Sequence, residues 1–199
     1  MNAQPLFALL AEARRLSGHS RFVVIGSLSI LGVSEVSAIP GDMTISIDID
    51  CYTEADPGRT LDLVSALGEG SDWHRAHGVY LDAVNPNLPT LPDHWSTRLI
   101  ELRRDNVVVL FLEPHDAAVS KLARGEPRDL RWVTAGARAG IVSLPTLALR
   151  MKTTRFLDDE EQRATLARLQ DVTAQVAGER ATARVKTQTG NGPARKARR

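Results

Sequence analysis

The strongest constraint on this chain is the segment Met43-Thr44-Ile45-Ser46-Ile47-Asp48-Ile49-Asp50-Cys51, in which apolar and polar residues alternate without a miss. Met43, Ile45, Ile47 and Ile49 fall on one face of an extended backbone, and Thr44, Ser46, Asp48 and Asp50 on the other. Period two with this much isoleucine predicts a half-buried strand. Asp48 and Asp50 then project the same way, roughly 7 Å apart along the strand. Like charges that close repel, and one carboxyl would take up a proton unless a cation kept both ionised. Hard oxygen donors on a rigid strand suit magnesium, which takes one or two carboxylates and fills its other positions with water and phosphate oxygens. The alternation alone fits a solvent-facing edge strand equally well.

A second stretch shifts that balance. Phe22-Val23-Val24-Ile25 is an apolar run that ends in Gly26-Ser27 and continues into Leu28-Ser29-Ile30-Leu31. This predicts a strand over Arg21–Ile25, a turn, and a short helix over Ser27–Gly32. A missing glycine side chain lets a phosphate approach the backbone, and a helix N-terminus favours negative charge. The two stretches together suggest phosphate at Gly26 and Ser27 and metal at Asp48 and Asp50. Twenty residues lie between Ser27 and Asp48, so the geometry between turn and acids is not fixed by spacing.

Gly26-Ser27 followed by Asp48-Ile49-Asp50 resembles the signature of the nucleotidyltransferase superfamily related to DNA polymerase beta. Four segments narrow the likeness to an uncharacterised bacterial nucleotidyltransferase-like family related to the AbiEii-type toxins of toxin–antitoxin systems. They are Val23-Val24-Ile25-Gly26-Ser27 with Ile30-Leu31-Gly32; Gly68-Glu69-Gly70-Ser71 through His74 to Gly78-Val79-Tyr80; Leu91-Pro92-Asp93-His94-Trp95 to Arg98-Leu99; and Leu112-Glu113-Pro114-His115-Asp116 through Lys121-Leu122-Ala123 to Arg128-Asp129-Leu130. Together they span about residues 20–135.

The resemblance implies an α/β (α+β) nucleotidyltransferase fold, a small mixed β-sheet backed by helices. It implies magnesium-dependent transfer of a nucleoside monophosphate from a nucleoside triphosphate to an acceptor hydroxyl, with release of pyrophosphate. The acceptor would be a tRNA 3′ end or a protein, and the chain the toxin of a pair with a cognate antitoxin. Asp48 and Asp50 would bind metal. Asp82, in the middle of the strand expected over Gly78–Val84, would supply the third carboxylate of a site for two magnesium ions, with manganese able to substitute. Lys121 would neutralise charge on the transferring phosphoryl group. Arg128, beside Lys121 and Arg124 at a helix junction, and Arg98 are candidates for the nucleotide phosphates. A bland alternative exists for each: an exposed strand acid, a solvated basic face, an arginine paired with an acid. The contrasting functional class is a catalytically inert nucleotidyltransferase-fold binding or antitoxin module, against which Asp82 is the discriminating residue.

The remaining features set the frame. The 199 residues suffice for one domain with a helical appendage. Residues 1–140 are expected to form the nucleotidyltransferase-like domain and 141–177 a helical region packed on it. From Gly178 to Arg199 seven Lys/Arg face Glu179 alone, a charge of +6 that leaves −5 on residues 1–177. That segment is expected to be a disordered basic tail, either a solvated terminus or an arm for nucleic acid. No apolar run reaches the roughly 20 residues of a membrane span, the N-terminus does not read as a signal peptide, and Cys51 is the single cysteine. A cytoplasmic protein is expected, with Cys51 a buried hydrophobe. Helices are expected over residues 4–17, Thr60–Leu67 (Leu61, Val64 and Leu67 inward), Pro114–Arg124 and Pro127–Gly136, and a hairpin around Arg103–Asn106. His74 and His77, three apart, are spaced for a shared metal on a helix, but no further His or Cys joins them.

Overall fold

The computed structural model describes residues 2–33 and 38–189. Helix α1 (Ala3–Ser17) begins at Asn2, whose side chain accepts the Gln4 N–H at 3.0 Å, and ends at Gly18. Gly18 is left-handed (φ 75°), and its N–H returns to the Arg14 carbonyl at 2.8 Å, as a glycine C-cap should. Leu6, Leu9, Leu10 and Ala13 recur at helical spacing and are all buried.

The sheet holds β1 (Arg21–Val24), β2 (Asp48–Thr53), β3 (Tyr80–Ala83), β4 (Ile100–Arg104) and β5 (Val107–Phe111), in the order β3-β2-β1-β5-β4. β1 runs antiparallel to β2 and parallel to β5; β2 and β3 are parallel, and β4 and β5 antiparallel. The β4–β5 hairpin turns through Asp105 (φ 48°) and Asn106 (φ 65°), the pair of left-handed residues that a two-residue hairpin turn demands. This is the small mixed sheet of an α+β nucleotidyltransferase-like fold.

The strand expected from Met43 to Cys51 is shorter and starts later. Ahead of Asp48 the chain makes a 3₁₀ turn over Gly41–Met43 and then runs irregularly. Met43 and Ile49 are buried, but Ile45 is 79% and Ile47 48% exposed. The reason is pairing. β1 meets β2 only from Cys51 to Thr53, and β3 begins at Tyr80, opposite Asp48, so residues 43–47 lie beyond both ladders and alternation alone does not make one.

A second difference falls at residues 57–67. The chain forms a 3₁₀ stretch over Pro57–Leu63 that runs into α2 (Val64–Leu67). Its three-residue period buries Thr60, Leu63 and Leu67 and leaves Leu61 and Val64 exposed, contrary to the expected inward set. Gly68 ends α2, and α3 (Asp72–His77) follows, capped by Ser71 and closed by left-handed Gly78.

Helices α4 (Pro114–Arg124) and α5 (Pro127–Arg138) each start on a proline at the first helical position, where the missing N–H is no loss. α6 (Leu144–Met151) and α7 (Asp159–Thr189) complete the chain. Leu147, Met151, Leu169, Val172 and Val176 join the same buried cluster as Phe22, Phe111 and Trp132, so these helices pack on the sheet-bearing part rather than apart from it. α7 runs unbroken past the boundary expected at 177/178. The sequence there (Glu179-Arg180-Ala181-Thr182) favours helix, Arg138 pairs with Glu179, and Arg180 donates to the Ala137 carbonyl at 3.3 Å. Residues 190–199 of the expected tail lie outside the described residues. Among the described residues no helix is long and apolar enough to cross a membrane.

Candidate metal and nucleotide site

β2 and β3 pair in register, Asp48 against Tyr80 and Asp50 against Asp82. Because side chains alternate along each strand, all four residues share one face of the sheet. The oxygens of Asp48, Asp50 and Asp82 come within 4.8 Å of one another. Ser46 donates a hydrogen bond to Asp48. The acids expected from sequence to act together are therefore brought together, although most of the strand predicted ahead of them is not a strand.

Gly26 follows β1 with φ 69° and ψ −154°, a conformation that residues other than glycine essentially do not adopt. A Cβ there would lie 1.8 Å from Oδ2 of Asp50. The Ile25 N–H donates to the Asp50 carbonyl at 2.9 Å, which pins the two backbones together. The place a side chain would take at Gly26 is filled by the Asp50 carboxylate, and Gly26 still lines the cleft beside it. Gly26 is what allows that carboxylate to reach the other two.

The electrostatics follow from this crowding. Burial, then the neighbouring Asp48 and Asp82 charges, push Asp50 up to about 7, against the pull of Lys121 and Arg124. Asp82 is raised by burial and by Asp48 and Glu69. A set of oxygen donors that can be fully ionised near neutrality only with help is a set that fits a hard divalent cation. Magnesium or manganese therefore suits these three residues better than zinc, which would draw histidine or cysteine. His74 and His77 do not form a second metal site. The His74 Nδ1 accepts the Gly70 N–H at 3.0 Å, and the His77 ring stacks on Trp73 at 3.8 Å between centroids.

Facing the acids, α4 and α5 present cations. Lys121 is almost fully buried; its Nζ donates to Ser27 Oγ at 2.9 Å and to Asp129 Oδ1 at 3.1 Å. Burial lowers its pKa, and Asp129 opposes that fall. Arg124 binds the same carboxylate with Nε and Nη2, both at 2.6 Å. Burial alone would raise the fully buried Asp129, yet Arg124 and Lys121 hold it below the usual carboxyl range. One acid thus aims two cations at the cleft.

That cleft, about 480 Å³, is lined by Gly26, Asp48, Asp50 and Asp82 from the sheet and by Ser120, Lys121, Arg124 and Arg128 from α4 and α5. Val84, Leu88, Pro89 and Leu112 add apolar surface. Arg128 is exposed and lines the cleft. Ser27 does not line the cleft; its hydroxyl is taken by Lys121 and its carbonyl by Trp132 Nε1 at 3.1 Å. Arg98 is elsewhere. It grips buried Asp116 (Nε to Oδ2 2.8 Å, Nη2 to Oδ1 3.0 Å) and the Asp93 carbonyl at 3.1 Å, fastening the 93–98 segment to α4. Of the two partners that the sequence leaves open for Arg98, a phosphate or an acid, the structure shows the acid.

Arg124 belongs to the basic cluster that the sequence sets beside Asp129, an acid available to hold one of its cations; in the structure Asp129 holds both Arg124 and Lys121. Glu161, on α7, also lines the cleft, accepting from Thr90 Oγ1 at 3.0 Å and from the Leu157 N–H at 2.7 Å. Its contact across the fold is not legible in α7 itself, because Thr90 lies 71 residues away in sequence. Cys51 is buried as expected, and burial pushes its thiol pKa up, out of reach of nucleophilic chemistry.

Comparison with curated proteins finds no match, and comparison with solved structures finds none. A family model does match, over residues 4–176, and its description is nucleotidyltransferase of unknown function (DUF6036). That span takes in the sheet, the three carboxylates, both cationic helices and most of α7, and so the chain belongs to this nucleotidyltransferase family.

Proposed function

We propose that the chain is a magnesium-dependent nucleotidyltransferase that moves a nucleoside monophosphate from a nucleoside triphosphate to an acceptor hydroxyl, releasing pyrophosphate. The observation that carries this reading is the convergence of Asp48, Asp50 and Asp82 within 4.8 Å in a cleft that Lys121, Arg124 and Arg128 also line. Asp48, Asp50 and Asp82 would hold the metal. When bound, magnesium would neutralise the triphosphate charge and orient the reacting phosphoryl group. Lys121 and Arg124, fixed by Asp129, offset charge that builds on the phosphoryl oxygens, and Arg128 meets the outer phosphates. Asp82, the most exposed of the three acids, stands on the open side, where it would orient the acceptor hydroxyl. No covalent intermediate is needed: a loose phosphoryl transition state asks for position and charge compensation.

The acceptor in this proposal is a tRNA 3′ end or a protein hydroxyl, in a cytoplasmic setting. The wider proposal, a toxin with a cognate antitoxin and kinship to AbiEii-type toxins, rests on the sequence segments given above. The intact third carboxylate supports turnover over an inert binding module. The test is pyrophosphate release from each of the four ribonucleoside triphosphates with magnesium and total cellular RNA or lysate, comparing the wild type with Asp48→Ala plus Asp50→Ala. Release that depends on both aspartates supports the proposal. Equal release from the double variant, or none from either protein, refutes it.

A further inference from the structure

The cleft accounts for the inner side of the three carboxylates and leaves their outer side unexplained. There, β3 is the edge strand of the sheet, and Tyr80 lies two residues before Asp82 on the same face, in register with Asp48. The Tyr80 ring is half-buried and meets the His74 ring at 4.8 Å between centroids, tilted by 56°. His74 is held on three sides. Its Nδ1 accepts from Gly70, its N–H is capped by Ser71 Oγ at 3.1 Å, and its carbonyl accepts the Gly78 N–H at 2.8 Å. The left-handed glycines Gly70 (φ 74°) and Gly78 (φ 71°) bend the chain at either end so that α3 folds back on β3. Behind it, Trp73 and His77 stack at 15°.

None of these rings lines the cleft, and α3 has no buried residue. Trp73 turns toward the core, with its indole nitrogen buried, which leaves the Tyr80 and His74 rings as the flat surface beside the metal-fitting acid cluster. In-line displacement puts the attacking oxygen and the departing pyrophosphate on opposite sides of the transferred phosphorus. With the triphosphate on the Lys121 wall, the attacking group enters from the β3 edge, across Tyr80. Flat rings there favour a flat partner, and unpaired nucleobases stack on tyrosine and histidine without needing a particular sequence. The charged side chains of this edge, Glu69, Asp72, Asp82 and Arg75, are not a basic track for a phosphate backbone, and Arg75 is already paired with Asp72.

We propose that the Tyr80–His74 face is the acceptor subsite and that it takes the unpaired terminal nucleoside of a nucleic-acid strand by stacking. This rests on the nucleotidyl-transfer reading above. In the step it serves, the terminal hydroxyl oxygen forms a bond to the α-phosphorus. The bond from that phosphorus to the bridging oxygen breaks, pyrophosphate leaves with the electron pair, and the hydroxyl proton passes to water.

The test uses the full chain and a single-stranded RNA carrying 2-aminopurine at its 3′ end, whose fluorescence is quenched on stacking. The wild type and Tyr80→Phe should quench it. Tyr80→Leu and His74→Ala should weaken binding roughly tenfold or more and raise the acceptor KM with nucleotide affinity unchanged. Weak salt dependence is expected, since few phosphates are contacted. Unaltered quenching in Tyr80→Leu, or label from the nucleotide appearing on protein instead of RNA, would overturn the subsite while leaving the nucleotidyl-transfer reading standing. A wild type that binds no nucleoside triphosphate with magnesium sinks both.

Discussion

Gly26→Ala and Gly18→Ala, taken together, separate two costs that a left-handed glycine can hide. Both residues have similar positive φ, 69° and 75°. An added Cβ at Gly18 meets nothing within 4 Å, so its cost is backbone strain alone, about 1 kcal/mol. At Gly26 the ψ of −154° lies in a region nearly closed to other residues, worth roughly 1–3 kcal/mol. The new Cβ also lands 1.8 Å from Asp50 Oδ2 and 2.7 Å from its Cγ. Relieving that overlap costs about another 1–3 kcal/mol or swings the carboxylate away from Asp48 and Asp82. Gly26→Ala should therefore lose about 2–6 kcal/mol, roughly 6–18 °C in Tm for a chain of this size, against about 3 °C for Gly18→Ala. Thermal melts in chelator and in magnesium measure both variants. Gly26→Ala should also lose the stabilisation by magnesium that the wild type and Gly18→Ala show. Equal Tm losses for the two variants, with magnesium stabilisation intact in both, would refute the link between Gly26 and the acid cluster.

Three further outcomes follow from the same geometry. Asp50 titrates at about 7 when folded and in the ordinary carboxyl range when unfolded, so between those values the folded chain keeps a proton that the unfolded chain has released. Metal-free wild type should therefore lose stability as pH rises from about 4 to 7, by at most about 4 kcal/mol. Asp50→Asn should remove that part of the slope and be the more stable protein at pH 8 in chelator, as urea midpoints would show. Arg98→Ala should cost about 2–3 kcal/mol in denaturant titrations, because Asp116 is fully buried, with Arg150 Nε at 3.4 Å softening the loss; its nucleotide affinity should match the wild type. Asp129→Asn removes the charge that holds up the Lys121 pKa, so the alkaline limb of the pH–rate profile should move to lower pH, and an unmoved limb would remove Asp129 from its positioning role.

How much of this was readable in advance depended on whether the deciding contact was local. α4 and α5 carry their own start signals, Pro114 and Pro127, and α4 its own stop at Gly125, and they fold where expected. The shared face of Asp48 and Asp50 was legible because alternation needs only two residues of strand. Where that strand began was not, since Ile45 and Ile47 satisfy the pattern and lack only a partner, which the short β1 does not provide. Whether Arg98 meets a phosphate or an acid was not legible, because the acid it pairs with, Asp116, sits 18 residues on and across the fold. At Gly26 the sequence shows a residue without a side chain but not that the Asp50 carboxylate, 24 residues on, fills the place a Cβ would take.

The most direct measurement of the central claim is manganese binding by electron paramagnetic resonance, which reads the free ion as protein is added. The expected result is stoichiometric uptake by the wild type, displaced by magnesium, tightened by a non-hydrolysable nucleoside triphosphate, and lost in Asp48→Asn, Asp50→Asn and Asp82→Asn combined. Identical uptake by the wild type and the triple variant would mean that the three carboxylates converge for some purpose other than holding a metal.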